Sequence, residues 1–452
     1  MKKILSAILV SYLLWPVTSI AQTNYPAAIS KYMEAQATIK QFSGNVLVAV
    51  NGNVIYQKAF GYADREWNVP NSLSSKFEIG SLTKQFTAAA ILQLAEQHKL
   101  NLNDKLSVYF PGYPKGDSVT LHMLLNHTSG IADYTALPRF NAVHTLALTR
   151  DSVIVLFKNQ PYAFSPGTKW QYSNSGYFLL GCIIEKVSKK HYNDYIKENI
   201  LSKASLANTG VNHLDSVLLY RAKGYSPEKS GIKNADYFSM EIPFSAGSII
   251  STVHDLYNWQ KALLNGLVIS KESVLKMTTA YLGNYGYGLN IDQFNNHKRI
   301  SHSGAIPGFS SFLGSFPDDK IFIVILSNNE GDVGGISEAL SSILFNLPYQ
   351  IPYIPTEVTI NPAVLKKYIG KYQIEQSSGN TYLALVEDNN KLYLKPEGAG
   401  DLKMELKPES ETKFFFARDH DQEIEFTLDK KGNIAKTYFI NKGAKIEIKP
   451  RN

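Results

Sequence analysis

The sequence predicts an α+β fold in two parts: an antiparallel sheet flanked by helices and joined to a helical lobe, then a small all-β domain. Three observations predict it. Two β-rich runs near the N-terminus surround an Asn-Gly turn, and three more follow residue 299. Between them, roughly 95–280 reads as mixed and largely helical, broken by proline and glycine turns. Beyond residue 361, short segments alternate apolar and polar residues to the end of the chain. A sheet assembled from both ends of one domain, with a helical insert beside it, fits that order. A chain of 452 residues is long enough for two or three domains and a large core.

Taken in order, residues 1–21 read as a secretory signal: Lys2 and Lys3, an apolar run from Ile4 to Leu14, then Ser19-Ile20-Ala21 as a small-residue exit. The apolar run is short for a bilayer span, and no cysteine follows it to carry a lipid. The expected location is therefore periplasmic or secreted, with no stable membrane span after cleavage. Residues 22–347 form the first domain. Residues 23–41 read as a helix, and NVLVAV and VIYQKAFG pair across Asn51-Gly52. FEIG then leads into the apolar helix QFTAAAILQLAEQ, rich in strong helix formers. After the insert, RISHSG, SSFLGSF and IFIVILSN are strands separated by AIPGF and PDDK, and ISEALSSILFNL is a closing helix. Residues 348–361, rich in proline and β-branched residues, read as a linker. Residues 362–452 hold GKYQIE, TYLALVE, KLYLKP, KFFFAR, EIEFTLD, AKTYFIN and KIEIKP, an antiparallel barrel or curled sheet.

Composition narrows the function. The formal charge is +7, and without Lys2 and Lys3 the remainder carries 44 basic against 39 acidic residues, well interspersed. No basic block marks a nucleic-acid partner. Cys182 is the only cysteine, so an internal disulfide or thiolate cluster is impossible, and its apolar surroundings give it a packing role. The ten histidines show no HExxH or paired-ligand spacing, so neither a metal nor another cofactor is expected.

The chemistry points to Ser81-Leu82-Thr83-Lys84. A serine and a lysine three residues apart share one face of a helical turn, so the lysine can act as the serine's base. At a helix start, free backbone N–H groups favour developing negative charge. The same spacing recurs at Ser226/Lys229, Ser230/Lys233, Ser273/Lys276 and Ser410/Lys413, in polar or turn-rich contexts that read as chance. Only Ser81 is followed in order by Tyr172-Ser173-Asn174 and His302-Ser303-Gly304.

Together, SLTK, YSN and HSG resemble the serine β-lactamase/penicillin-binding-protein superfamily, in particular the branch of class C β-lactamases, D-alanyl-D-alanine carboxypeptidases, D-aminopeptidases and related esterases. LHMLLNHTSGI, FSPGTKWQYSNSGYFLLG, SAGSIISTVHDLYNW, YGYGL and HSGAIPGF extend the resemblance over about residues 25–347. It implies a β-lactamase/transpeptidase-like domain; the C-terminal domain resembles small β domains appended to some of these hydrolases. YSN in place of SDN marks the class C-like branch. HSG in place of KTG occurs in its peptidases and esterases and counts against efficient β-lactamase activity.

The resemblance also implies roles. Ser81 attacks a carbonyl and forms an acyl-enzyme. Lys84 is its base, which requires the amine to lose about three pH units of basicity, about 4 kcal/mol, through burial and nearby positive charge. Tyr172 is a general acid/base, becoming a base beside the Lys84 cation. Asn174 bonds Lys84 and the substrate amide. His302 stands where relatives carry a lysine that holds a substrate carboxylate, so KM for acidic-ended substrates should rise as pH climbs through its pKa. Ser303 and Gly304 complete the substrate strand, and the backbone N–H groups of Ser81 and Ala305 form an oxyanion hole worth ~3 kcal/mol. His127 braces its loop; Tyr285 and Tyr287 line the cleft or pack the core. The expected activity is hydrolysis of D-amino-acid peptides, esters or β-lactams, and the non-enzymatic alternative is a sensor that is acylated once.

Overall fold

The computed structural model describes residues 24–212, 217–228, 231–375, 380–441 and 443–451; the expected signal at 1–21 lies outside them. Helix α1 (Tyr25–Ile39) starts where Asn24 accepts a hydrogen bond from the Ala27 N–H and Pro26 occupies the first turn. It buries Ile29, Tyr32 and Met33, one stripe at helical spacing. Strands β1 (Gly44–Val50) and β2 (Asn53–Phe60) form the expected hairpin, with Asn51 and Gly52 both at positive φ, as the tight turn demands.

The main sheet has six strands. Following β1 and β2 in the chain come β3 (Asn290–Phe294), β4 (His297–Ile306), β5 (Phe309–Phe316) and β6 (Ile321–Ser327). The order across the sheet is β3-β4-β5-β6-β1-β2, every pair antiparallel. The two chain ends meet where Gly44 pairs with Ser327 and Val50 with Ile321. Gly44 is required there, because a Cβ on it would lie 1.9 Å from the Leu326 carbonyl oxygen.

Both faces of this sheet are covered, which is why β1 reads as a continuous apolar run. Val46 and Val48 pack with α1 and the closing helix (Val333–Leu344), while Leu47 and Ala49 join the core of the helical lobe. At the centre of that lobe is α2 (Thr83–Glu96), whose residues Thr83 to Leu94 are all buried. Phe86 stacks on Trp259 at 4.1 Å, and the Trp259 indole N–H donates to Gln85 Oε1. Helix α3 (Asn174–Ser188) packs beside α2.

The insert is less helical than its composition predicts. Short 3-10 turns alternate with a small sheet of Phe77–Glu78, Ile249–Ser251 and Gly210–Val211 and a hairpin of Tyr225–Glu228 with Gly231–Asn234. Its frequent Gly and Pro residues end helices early, and strands of two or three residues leave no periodic trace in sequence.

The C-terminal part is a closed antiparallel barrel of eight strands, from Gly370–Ile374 to Ala444–Arg451. Seven were legible in sequence. The eighth, Met404–Pro408, buries only Leu406 and so shows almost no alternation. The 348–361 segment is fastened to the barrel: the Val358 N–H donates to the Pro408 carbonyl, and Lys413 donates to the Tyr353 hydroxyl at 2.7 Å. Lys40, just past α1, pairs with Asp421 of the barrel at 2.7 Å.

Candidate active site

Ser81 lies in a single 3-10 turn, Gly80–Leu82, that runs directly into α2. Lys84 is thus one turn along, with Nζ 3.0 Å from Ser81 Oγ. The sequence pattern required this proximity; the fold supplies the rest of the lysine's surroundings. Nζ is 2.8 Å from Asn174 Oδ1 at the start of α3 and 2.8 Å from the carbonyl oxygen of Ala246. It also sits over the rings of Tyr172 (4.8 Å) and Tyr177 (5.6 Å). Lys84 is 0% exposed. Burial lowers its pKa to about 7, against an opposing pull from Asp133. The positive neighbour expected from sequence is not needed, because desolvation alone is the dominant cause.

Tyr172 is pushed the other way. Burial raises its phenol above the usual range, a hydrogen bond with Ser81 lowers it in part, and the charge of Asp133 raises it further. The expectation that a Lys84 cation would turn this phenol into a base does not hold, since the desolvation that lowers Lys84 raises Tyr172. One dry environment therefore moves the two groups in opposite directions, the amine down and the phenol up.

His302 corrects another expectation. It is 3% exposed and held at both nitrogens: Nδ1 donates to the Ser303 carbonyl at 2.6 Å, so Nε2 accepts from the Tyr285 hydroxyl at 2.8 Å. Burial, then the charge on Lys84, lower its pKa to about 3. The ring is neutral at physiological pH and cannot serve as the cation for a substrate carboxylate. Strand alternation explains its placement. On β4, His302 and Gly304 face inward, and Ser303 and Ala305 are the exposed positions.

Gly304 and Gly80 let strand and turn meet. A Cβ on Gly304 would lie 2.0 Å from the Ile79 carbonyl oxygen, and one on Gly80 (φ +51°) would lie 2.8 Å from the Ala305 nitrogen. The backbones of Ser81's turn and of Ala305 are therefore adjacent. Tyr285 and Tyr287 are both buried; Tyr285 acts as the partner of His302, and the Tyr287 hydroxyl bonds His122.

His127 braces its loop, as read from sequence. Its carbonyl accepts from the Gln171 N–H and its Nδ1 accepts from the Ser173 N–H, so it clasps the chain on either side of Tyr172. Its ring lies 4.4 Å from that of Tyr172. The other serine–lysine spacings gather no comparable surroundings: Ser273 lies in the first turn of a short helix, its N–H donating to the capping Ser270 hydroxyl, Ser410 sits in an exposed turn, and Lys229 and Ser230 lie outside the described residues.

Three contributors escaped sequence reasoning. The Ala246 carbonyl belongs to a backbone, which carries no residue signature. Asp133 and Thr135 both take a hydrogen bond from Asn174 Nδ2. They lie about 40 residues from Asn174 in sequence, in a stretch without periodic pattern. Among the described residues, no group of three or more His, Cys, Asp or Glu could hold a metal ion, and no helix is long and apolar enough to cross a membrane.

A serine beside a buried lysine of lowered pKa, a buried tyrosine of raised pKa and an adjacent backbone turn and strand define a serine hydrolase of the β-lactamase/penicillin-binding type. Comparison with known proteins agrees: a family model described as Beta-lactamase matches residues 29–341, and the chain belongs to that family. It is 33% identical over 428 residues to penicillin-binding protein 4* of Bacillus subtilis, spanning 88% of this chain and 93% of that one. An octameric penicillin-binding protein homologue from Pyrococcus abyssi shares the architecture across 94% of this chain and 99% of its own, with 27% identity and a TM-score of 0.67. A D-amino acid amidase from Ochrobactrum anthropi shares the fold, at 22% identity and a TM-score of 0.64 over 71% of this chain and 99% of that one.

Proposed function

We propose that the protein is an exported hydrolase that works through an acyl-enzyme on Ser81, with D-amino-acid peptides or amides as its substrates. One observation carries this reading: the buried Lys84 amine beside Ser81 Oγ. A neutral amine has two N–H donors and one lone pair. The carbonyl oxygens of Ala246 and Asn174 take the two donors, so the lone pair is left facing Ser81 Oγ.

Lys84 then receives the Ser81 hydroxyl proton as the Oγ–carbon bond forms. The N–H groups of Ser81 and Ala305 stabilise the resulting oxyanion. Tyr172, held protonated, gives its proton to the leaving group as the scissile bond breaks, and Lys84 restores that proton. Water then enters and attacks the acyl carbonyl, losing a proton to this pair; the pair returns that proton to Ser81 Oγ as the acyl–Oγ bond breaks, releasing the acid product and free Ser81. Ser303 and Asn174 bind the substrate backbone, and Gly304 lets it approach the strand.

The neutral His302 favours a second reading within the same chemistry. Without a cation at that position, substrates whose recognised end is an amide or ester suit the cleft better than those ending in a carboxylate. An esterase of the same branch follows directly, and efficient β-lactam hydrolysis ranks below both. Similarity to penicillin-binding protein 4* and to a D-amino acid amidase fold supports the D-amino-acid reading.

Intact-protein mass after incubation with a penicillin, run beside Ser81→Ala, tests it. A lasting adduct on Ser81 supports a penicillin-binding peptidase. No adduct with the penicillin left intact, but turnover of p-nitrophenyl acetate, moves the assignment to esterase. Adduct formation on Ser81→Ala would overturn Ser81 as the nucleophile.

A further inference from the structure

Asn174 matters to the proposed chemistry through which end of its amide faces Lys84. If Oδ1 faces the amine, it absorbs an N–H and leaves the lone pair to Ser81. If Nδ2 faced the amine, its N–H would capture that lone pair and Ser81 would lose its base. Nothing in Asn174 itself chooses between the two ends, because the amide is nearly symmetric in shape.

The choice is made on the far side of the amide. Asn174 Nδ2 lies 3.1 Å from Asp133 Oδ2, 3.4 Å from Asp133 Oδ1 and 3.3 Å from Thr135 Oγ1. A carboxylate accepts hydrogen bonds and cannot donate them, so only the Nδ2 end can face it. Asp133 is itself fixed: its Oδ1 accepts the Thr135 N–H at 3.2 Å and caps the turn Tyr134–Ala136. The half-buried carboxylate is therefore held in place before Asn174 meets it.

We propose that Asp133 is a positioning residue for the Ser81–Lys84 pair, anchoring the Asn174 amide so that Oδ1 faces Lys84 Nζ and the lysine keeps its lone pair for Ser81. This rests on the acyl-enzyme reading above and extends it by one residue that touches neither substrate nor nucleophile. Asp133 also acts by charge. The titratable groups around Lys84 are Tyr172 and Tyr177 beneath the amine, the buried neutral rings of His127 and His302, and Asp133. Of these, Asp133 is the group whose negative charge favours the protonated lysine. It opposes desolvation, so removing its charge makes Lys84 more acidic.

Asp133→Asn separates these effects from a merely structural role, because asparagine keeps the helix-turn cap while losing the charge and gaining a donor. Two readouts apply, on the full chain without its signal. The first is the titration of the Lys84 ε-carbon by NMR with labelled lysine, assigned through Lys84→Ala. The second is the pH dependence of hydrolysis of p-nitrophenyl acetate and a D-phenylalanine anilide. In Asp133→Asn, the Lys84 midpoint should fall by about one pH unit. The acid limb of kcat/KM should move with it, and kcat on the plateau should drop about tenfold or more, with KM little changed. Asp133→Glu should recover part of both. Asp133→Ser, which keeps a capping hydroxyl, serves if the asparagine variant does not fold.

An unmoved Lys84 midpoint in the charge-removed variant, or a glutamate variant no better than asparagine, overturns the proposal. If neither substrate is turned over by the unmodified protein, the hydrolase reading fails instead. The Lys84 titration still decides the role of Asp133 in that case.

Discussion

Lys84 is the residue on which the site turns, and its burial has consequences for both activity and stability. As a base it must be neutral, so kcat/KM should climb tenfold per pH unit up to a midpoint near 7 and level off above it, which a pH–rate profile checks. In the unfolded chain the same lysine binds its proton up to about pH 10.4. Between about 7 and 10.4 the unfolded state therefore holds more protons than the folded one, and stability rises with pH across that window. The penalty at pH 7 is on the order of 4 kcal/mol before its hydrogen bonds are counted. Lys84→Met should abolish hydrolysis yet raise the thermal midpoint at pH 7, and the difference from the unmodified protein should shrink toward pH 9. Equal destabilisation at both pH values would show that the buried amine carries no such cost. His302 makes the opposite case. Its ring is neutral throughout the working range, so KM should stay flat between pH 5 and 8 for acidic and neutral substrates alike, read from initial rates. A rise in KM centred near 6.5 would mean that the ring is open to solvent.

At the scale of elements, the site is a junction between the turn before α2 and the strand β4. Two glycines set its spacing, since no side chain fits between Gly304 and the Ile79 carbonyl. Gly304→Ala should push β4 outward by more than an ångström and carry the Ala305 N–H with it. The expected result is a loss of about 100-fold in kcat with KM nearly unchanged, because the displaced donor acts on the transition state. Activity within tenfold of the parent would show that the Ala305 N–H takes no part. Much of this level was legible in sequence. The hairpin at residues 44–60, strands β4 to β6, the closing helix and most of the barrel follow from alternation, an Asn-Gly turn and helix-forming runs. The short strands of the insert and the barrel strand at Met404–Pro408 were not, because segments with one or two buried residues have no period to detect.

At the scale of the whole molecule, the two parts are joined by polar contacts. Glu423, 1% exposed, accepts from Lys413 at 3.1 Å and bonds the Tyr353 hydroxyl, so the barrel core, the connecting segment and a charged pair form one cluster. Lys413 also reaches Glu409 at 3.0 Å. Lys413→Met strands the buried carboxylate and should cost about 2 kcal/mol, less than a fully buried pair because the lysine is partly exposed. Urea titration followed by far-UV circular dichroism and activity would report it, since all four tryptophans lie before the barrel in the chain. The barrel should loosen at lower denaturant than in the parent, while kcat in native buffer is unchanged. A simultaneous fall in kcat would show that the barrel supports the cleft directly.

The sequence by itself determined the fold class, the two-part order and the pairing of Ser81 with Lys84, because these are set by short-range spacing: three residues along a helical turn, two along a strand. It also placed Tyr172 and His302 in the site through ordered motifs. Only the tertiary structure decided their ionisation. Whether Lys84 is neutral, Tyr172 protonated and His302 uncharged depends on how completely water is excluded by α2, α3 and β4 packing together. It also decided which distant groups hold the lysine, the Ala246 carbonyl and the Asn174 amide anchored on Asp133. Desolvation and hydrogen-bond direction are properties of the assembled interior, and a linear pattern of residue types does not encode them.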